Sequence, residues 1–353
     1  MTAVAESISP ASPASPASPA SLGGPPRPDS PVRLVAGSAV RVRVPASSAN
    51  IGPGFDSIGL ALGIWDECLV RVTAEPGLRI DVEGEGAGEV PRDQLNLIHR
   101  SILAAWQGLG VRPPAGLHLS CRNAVPHCRG VGSSATSIVA GVVAAQGLSD
   151  IASGRQHPGG GFDRQFTNNL AAALEGHPDN SSASVFGGMT LSWTDDLDPG
   201  QIRTIRLEVN PGVIPLVFLP AAMLSTASAR AILPAQVPHA TAARNSARAG
   251  LLVEAVTRRP DLLLAATREW LHQEQRRPAF PESMALLDDL RGQGHAAVIS
   301  GAGPSVLVLT TAGQVADARA VGDRSVWRVL EPGIPATGAS LERLSTSRER
   351  PSN

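Results

Sequence analysis

The chain contains no lysine. All 30 of its basic side chains are arginine, set against 31 acidic ones for a net charge of −1 over 353 residues. That absence excludes two common ways of holding a nucleoside triphosphate, the Gly-Lys-Ser/Thr loop and the strand lysine of protein kinases. Cysteine is scarce as well. Cys68, Cys121 and Cys128 show no matching pair in the sequence, which supports neither a disulfide framework nor a zinc site and fits a reducing, cytoplasmic compartment. The arginines form no long basic run, so nucleic acid is not an expected partner. No stretch approaches the roughly 20 apolar residues of a membrane helix, and the N-terminus lacks the positive start and apolar centre of a signal peptide.

What is present is an ordinary globular composition, 42 % hydrophobic, long enough for two packed units. Residues 1–37, with Ala/Ser/Pro near-repeats such as Ser9-Pro10-Ala11-Ser12-Pro13, and the Ser/Arg-rich residues 343–353 read as disordered tails. Val40, Val42 and Val44 alternate with Arg41 and Arg43, which predicts a half-buried strand ending at Pro45. Strands are expected at 68–73, 79–82, 117–121, 202–209, 214–219, 296–299 and 306–309. Helices are expected at 94–108, from the glycine loop to about 146, and at 164–175, 240–256 and 261–275. Strands come in pairs between helices, an α+β pattern. The cluster Asp195-Asp196-Leu197-Asp198-Pro199-Gly200 marks a turn, and the domains divide there, 38–200 and 201–342.

The most informative segment is Arg129-Gly130-Val131-Gly132-Ser133-Ser134-Ala135, followed by a small-residue apolar helix. Two glycines let the backbone approach an anion, two hydroxyls can meet phosphate or a metal, and the helix points its positive end at the same place. This is a phosphate cradle that must work through amides, hydroxyls, arginine and a divalent cation.

Four segments in order resemble the galactokinase, homoserine kinase, mevalonate kinase and phosphomevalonate kinase superfamily, and within it the bacterial homoserine kinases. They are Pro45 to Asp56 (PASSANIGPGFD), the glycine loop, Glu175 to Asn180 (EGHPDN) and Ser300 to Ser305 (SGAGPS). The resemblance spans about residues 38 to 340. It implies a two-domain α+β kinase fold, with an N-terminal domain like domain 2 of ribosomal protein S5 and a ferredoxin-like C-terminal domain. It also implies transfer of the ATP γ-phosphoryl to the side-chain hydroxyl of L-homoserine on the route to threonine, with Mg²⁺, by a cytoplasmic homodimer.

The same resemblance assigns roles. The loop Pro126, His127, Cys128, Arg129, Gly130, Val131, Gly132, Ser133, Ser134, Ala135 and Thr136 would wrap the triphosphate, Arg129 adding positive charge, and Ser134 and Glu175 would hold Mg²⁺. Asn50, Asp56, His177 and Asn180 would contact the acceptor, Asp56 taking its ammonium. Thr226, Arg230 and Arg276 belong to matching segments, the two arginines gripping its carboxylate. Asn96 would touch adenine, although the start of a helix equally suits an N-cap. Asn180 stands where mevalonate-type relatives carry an aspartate base, so positioning and charge are expected to carry the rate. Two other readings remain at this point: a superfamily kinase for mevalonate or a sugar, and a nucleotide-binding module without catalysis.

Overall fold

The computed structural model describes residues 32–157, 161–223, 226–322 and 325–344, so most of both tails lies outside it. The alternating valines do form a strand, but Ala39–Ala49 runs on through Pro45, where the register against its neighbour Ile58–Thr73 shifts. Proline has no N–H to give to a ladder, and a bulge there lets the strand continue. The seven-stranded sheet has the order Ser340–Leu344, Ala39–Ala49, Ile58–Thr73, Gly116–Asn123, Gly77–Gly84. Met189–Thr194 pairs with the first residues of Ile58–Thr73, and Ile202–Leu207 pairs with Met189–Thr194. Gly77–Gly84 and Gly116–Asn123 are parallel, which demands the crossover that the helix Leu97–Leu109 supplies.

Two expected boundaries move. Ile202–Leu207 and Ser340–Leu344 both belong to the first sheet, so the chain does not change domain at residue 200, and its end returns to the domain where it began. Val32–Arg33, placed in a tail by composition, pairs in parallel with Val111–Arg112, and Arg343 and Leu344 complete the returning strand.

Ser133–Ser153 is the central helix, longer than expected, and it is apolar and long enough to cross a membrane, contrary to the sequence reading. Its apolar surface is instead packed inside the fold, with Ile138, Val139, Val142, Val143 and Leu148 in one core with Val40, Val70, Ile102 and Trp106. Gly141 makes this crossing possible, since a Cβ there would sit 2.5 Å from the Ile98 carbonyl oxygen. Trp106, fully buried, donates its ring N–H to the Ala145 carbonyl at 3.1 Å.

The second sheet is antiparallel, in the order Ala296–Ile299, Val306–Thr310, Ile214–Leu219, Arg328–Leu330. One face packs on the helix Pro281–Gly292 through Phe218, Met284 and Leu290. Its other face, with Leu252 and Val256 of the helix His239–Thr257, meets Ile58, Leu60 and Met189 of the first unit in a shared core. The two units are thus joined by apolar packing. The helix expected at 261–275 is broken into a 3₁₀ turn and the short helices Leu263–Ala266 and Gln273–Arg276. The cause is Glu269, whose buried carboxylate accepts from the amides of Leu271, His272 and Gln273 and so starts a new helix.

Cys68 and Cys121, without a pair by sequence spacing, sit opposite each other on neighbouring strands with sulfurs 3.5 Å apart. Both are buried free thiols.

Candidate active site

A cavity of about 310 Å³ opens between the two units. It is lined by Asn50, Asp56, Cys128, Gly130, Gly132, Ser133, Ser134, Glu175, His177, Asn180, Arg230 and Arg276, all singled out from sequence, by Gly301 of the matched segment Ser300 to Ser305, and by Phe55 and Asp179, which had no role of their own.

Its first wall is the glycine loop. Gly130 and Gly132 have φ of 73° and 76°, and a Cβ on Gly132 would lie 2.2 Å from Ser47 Oγ, so both glycines are required. No side chain caps the helix that starts at Ser133, which leaves its first amides facing the cavity. The loop is braced from behind: Ser300 Oγ donates to the Gly130 carbonyl at 2.6 Å, and Ser47 N to the Val131 carbonyl at 3.1 Å. Val131, Ala135 and Thr136 are fully buried supports, Thr136 Oγ1 donating to the Gly132 carbonyl.

Arg129 corrects an expectation. Its guanidinium does not line the cavity; it donates to the carbonyls of Pro220 and Ala221 at 2.9 and 3.2 Å and ties the loop to the second unit. Pro126 and His127 likewise stand outside the cavity, the His127 ring packed against the turn at Gly86. Asn96 is an N-cap: Oδ1 accepts from Ile98 and His99 amides, and Nδ2 donates to the Pro91 carbonyl. Thr226 opens the short helix Thr226–Ala231, and its side chain is outside the described residues.

The second wall holds Glu175, His177, Asp179 and Asn180, the first ending one helix and the last two starting the next. Burial pushes the Glu175 carboxyl up to about 7, against the pull of His177 and a hydrogen bond from Ser134. Its Oε2 is buried without a partner. Such an orphaned oxygen beside a hydroxyl suits a hard cation arriving with phosphates, and among the described residues no cluster of three or more His, Cys, Asp or Glu side chains forms a cage by itself. His177 Nδ1 lies 2.6 Å from Asp179 Oδ1, both buried. Burial alone would lower the His177 pKa, but the Asp179 hydrogen bond and the Asp179 and Glu175 charges together raise it. Asn180, which lines the cavity, accepts from Ser47 Oγ at 3.0 Å through Oδ1. The neighbouring Ser182, with Ser192, Thr204 and Asn168, forms a closed hydroxyl and amide network behind this wall.

The third wall carries charge for an acceptor. Asp56 and Arg230 form a two-pronged ion pair at 2.7 and 2.9 Å across the cavity mouth. Asn50, at φ 69°, shapes the turn: Oδ1 accepts from the Asp56 amide and Nδ2 donates to the Gly301 carbonyl. Arg276 is almost fully buried, with Nε donating to the Ala229 carbonyl, and burial lowers its pKa. It thus contributes positive charge at the cavity and holds the segment that presents Arg230. Phe55 lies under both guanidiniums at 5.7 and 6.0 Å and stacks on His272. Asp179 and Phe55 were visible as members of the matched segments, but nothing local marked their contacts.

The arrangement combines an uncapped helix start at a glycine loop, an unpartnered buried carboxylate oxygen and a directly bonded, half-exposed ion pair. The sequence family described as "GHMP kinases N terminal domain" matches residues 96–188. A homoserine kinase from Streptomyces coelicolor is 47 % identical over 312 residues, 88 % of this chain and 97 % of that protein. Among solved structures, a homoserine kinase from Cytophaga hutchinsonii aligns with TM-score 0.71 and 25 % identity over 86 % of this chain and 97 % of its own. A putative homoserine kinase from Listeria monocytogenes aligns at 0.67 and 29 %, over 87 % of this chain and 100 % of its own.

Proposed function

We propose that the chain, which belongs to the homoserine kinase family and phosphorylates the side-chain hydroxyl of L-homoserine from ATP, does so by positioning and charge, without a side chain acting as base. The observation that carries this reading is the meeting, in one cavity, of an orphaned Glu175 oxygen at the glycine loop with the Asp56–Arg230 pair.

A zwitterion can replace that pair, its ammonium taking Asp56 and its carboxylate taking the Arg230 fork, with Arg276 adding a buried positive charge behind. Each protein charge then exchanges one partner for another, so the exchange costs little, whereas a ligand lacking one end leaves a charge unpaired. The loop amides from Gly130 to Ser134 face the triphosphate. Mg²⁺ bound with ATP would be held by Glu175 and Ser134 and would neutralise charge developing on the phosphates. Asn180, fixed by Ser47, directs an N–H at the acceptor oxygen and sets its line of approach; an amide cannot take a proton, and a loose phosphoryl-transfer transition state asks little of a base. His177, held by Asp179, lies beside the acceptor as an oriented donor. We place the enzyme in the cytoplasm on the route to threonine, acting as a homodimer.

The test is ADP release with L-homoserine against L-serine, L-threonine and mevalonate. Homoserine is expected to be preferred. Equal turnover of mevalonate would overturn the roles given to Asp56 and Arg230.

A further inference from the structure

Asp66 lies outside the cavity, in the strand Ile58–Thr73, and nothing in the chemistry above uses it. It is buried, 8 % exposed, and its hydrogen-bond partners among the described residues are two backbone amides. Oδ1 accepts from Ala124 N at 2.7 Å and from Val125 N at 2.9 Å. Those amides stand where the ladder between Ile58–Thr73 and Gly116–Asn123 has run out, its last register pair being Glu67 with Arg122. The carboxylate takes over from the sheet at the point where the chain turns toward Pro126 and the glycine loop. Val125, fully buried, is the pivot of that turn.

The charged groups near Asp66 are Glu85, occupied by Arg328 at 2.9 Å, and Glu67, paired with Arg41 at 3.4 Å; the buried thiols of Cys68 and Cys121 follow along the strands. Burial pushes the Asp66 carboxyl up to about 6, the two amides pull it down, and Glu85 adds a smaller upward push. At neutral pH the group is therefore charged at a cost that only the two amides offset. The other ties on the loop, from Ser300, Ser47 and Arg129, come from different segments and act further along it.

We propose that Asp66 is a positioning residue for the nucleotide: its carboxylate fixes the direction in which the chain leaves the sheet for the glycine loop, and so sets the affinity for ATP without touching it. The proposal rests on reading residues 126–136 as the ATP loop.

The experiment uses the full-length protein and Asp66→Asn, measuring KM for ATP, KM for homoserine, kcat and Tm between pH 5.5 and 8.5. At pH 7.5 the variant is expected to raise KM for ATP about five- to tenfold, in the range of one weakened charge-assisted hydrogen bond, with kcat and KM for homoserine changing less than about twofold. Its Tm is expected not to fall, because burial no longer opposes a charge. As pH falls through about 6, KM for ATP of the wild type is expected to climb toward that of the variant. Ionisation of ATP itself, of Glu175 and of His127 is common to both proteins and cancels in the ratio. An unchanged KM for ATP, parallel pH profiles, or a joint loss of all three parameters with Tm would overturn the proposal. Should the variant not fold, hydrogen exchange at the Ala124 and Val125 amides of the wild type decides: protection that drops below pH 6 supports it, and pH-independent protection overturns it. Absence of ADP release from both proteins would instead strike at the kinase reading, and calorimetric ATP binding would still report on Asp66.

Discussion

Two acid–base pairs face each other across the cavity and differ in almost every physical respect. Asp56 and Arg230 keep 34 % and 43 % of their side chains exposed, whereas Asp179 and His177 keep 2 % and 8 %. The first pair joins two segments far apart in sequence, across the mouth; the second closes within one turn at the start of a helix. An exposed pair contributes little stability and can be given up to a ligand. A buried one is dear to break, because the partner left behind has no water to turn to. The Asp56–Arg230 pair is thus free to exchange partners, and the His177–Asp179 pair is held still.

The comparison breaks most visibly in stability. Asp179→Ala is expected to cost about 3 kcal/mol or more, since it strands His177 and an amide of Asn180; chemical denaturation measures it, and a loss within 0.5 kcal/mol would make the second pair no more fixed than the first. Glu175→Gln comes next. Its kcat is expected to fall by roughly two decades at saturating magnesium, because a charged cation ligand at the phosphates is lost, and a kcat near wild type would reduce Glu175 to a helix-end carboxylate.

The same residue gives a pH signature. With its carboxyl pushed up to about 7, the folded protein holds a proton that the unfolded chain has released, so stability falls as pH rises from the ordinary carboxylate range through about 7. Glu175→Gln is expected to flatten that slope in a Tm series without nucleotide. A slope unchanged by the substitution would place its cause elsewhere.

Smaller effects sharpen the exposed pair. Removing either the ammonium or the carboxylate from the acceptor is expected to lower kcat/KM well over tenfold, and Asp56→Asn to raise KM for homoserine more than it lowers kcat. A kcat loss as large as that of Glu175→Gln would mean that Asp56 acts in the transfer itself. The smallest effect is on folding: Asp56→Asn is expected to change stability by no more than about 1 kcal/mol, against the loss expected at Asp179.

The contrast also explains what the sequence could reveal. The glycine loop, Glu175 to Asn180 and the turn at Asn50 to Asp56 are legible because their chemistry is local: positive φ at Gly130 and Gly132, a free helix start at Ser133, a capped turn at Asn50. The direction of a long side chain is not local. Arg129 sits in the motif yet reaches away to Pro220 and Ala221, and Asn96 caps the helix that follows it through Oδ1. Cys68 and Cys121 were invisible as neighbours because strand pairing, not spacing, brings them together. The boundary at residue 200 failed for the same reason. A polar turn marks a change of direction, and which sheet the next strand joins is decided by the surface it covers.

The strand Ser340–Leu344, hydrogen-bonded along Ala39–Ala49 and pinned by Arg41 to Glu342 across 301 residues, has a consequence for synthesis. A nascent chain that has made everything up to the second sheet still presents the first strand as an open edge, with its N–H and C=O groups unpaired. The domain begun first is finished last. Until Ser340–Leu344 leaves the ribosome, that edge is free to pair with another chain, and a product cut before Ser340 carries the same liability for good.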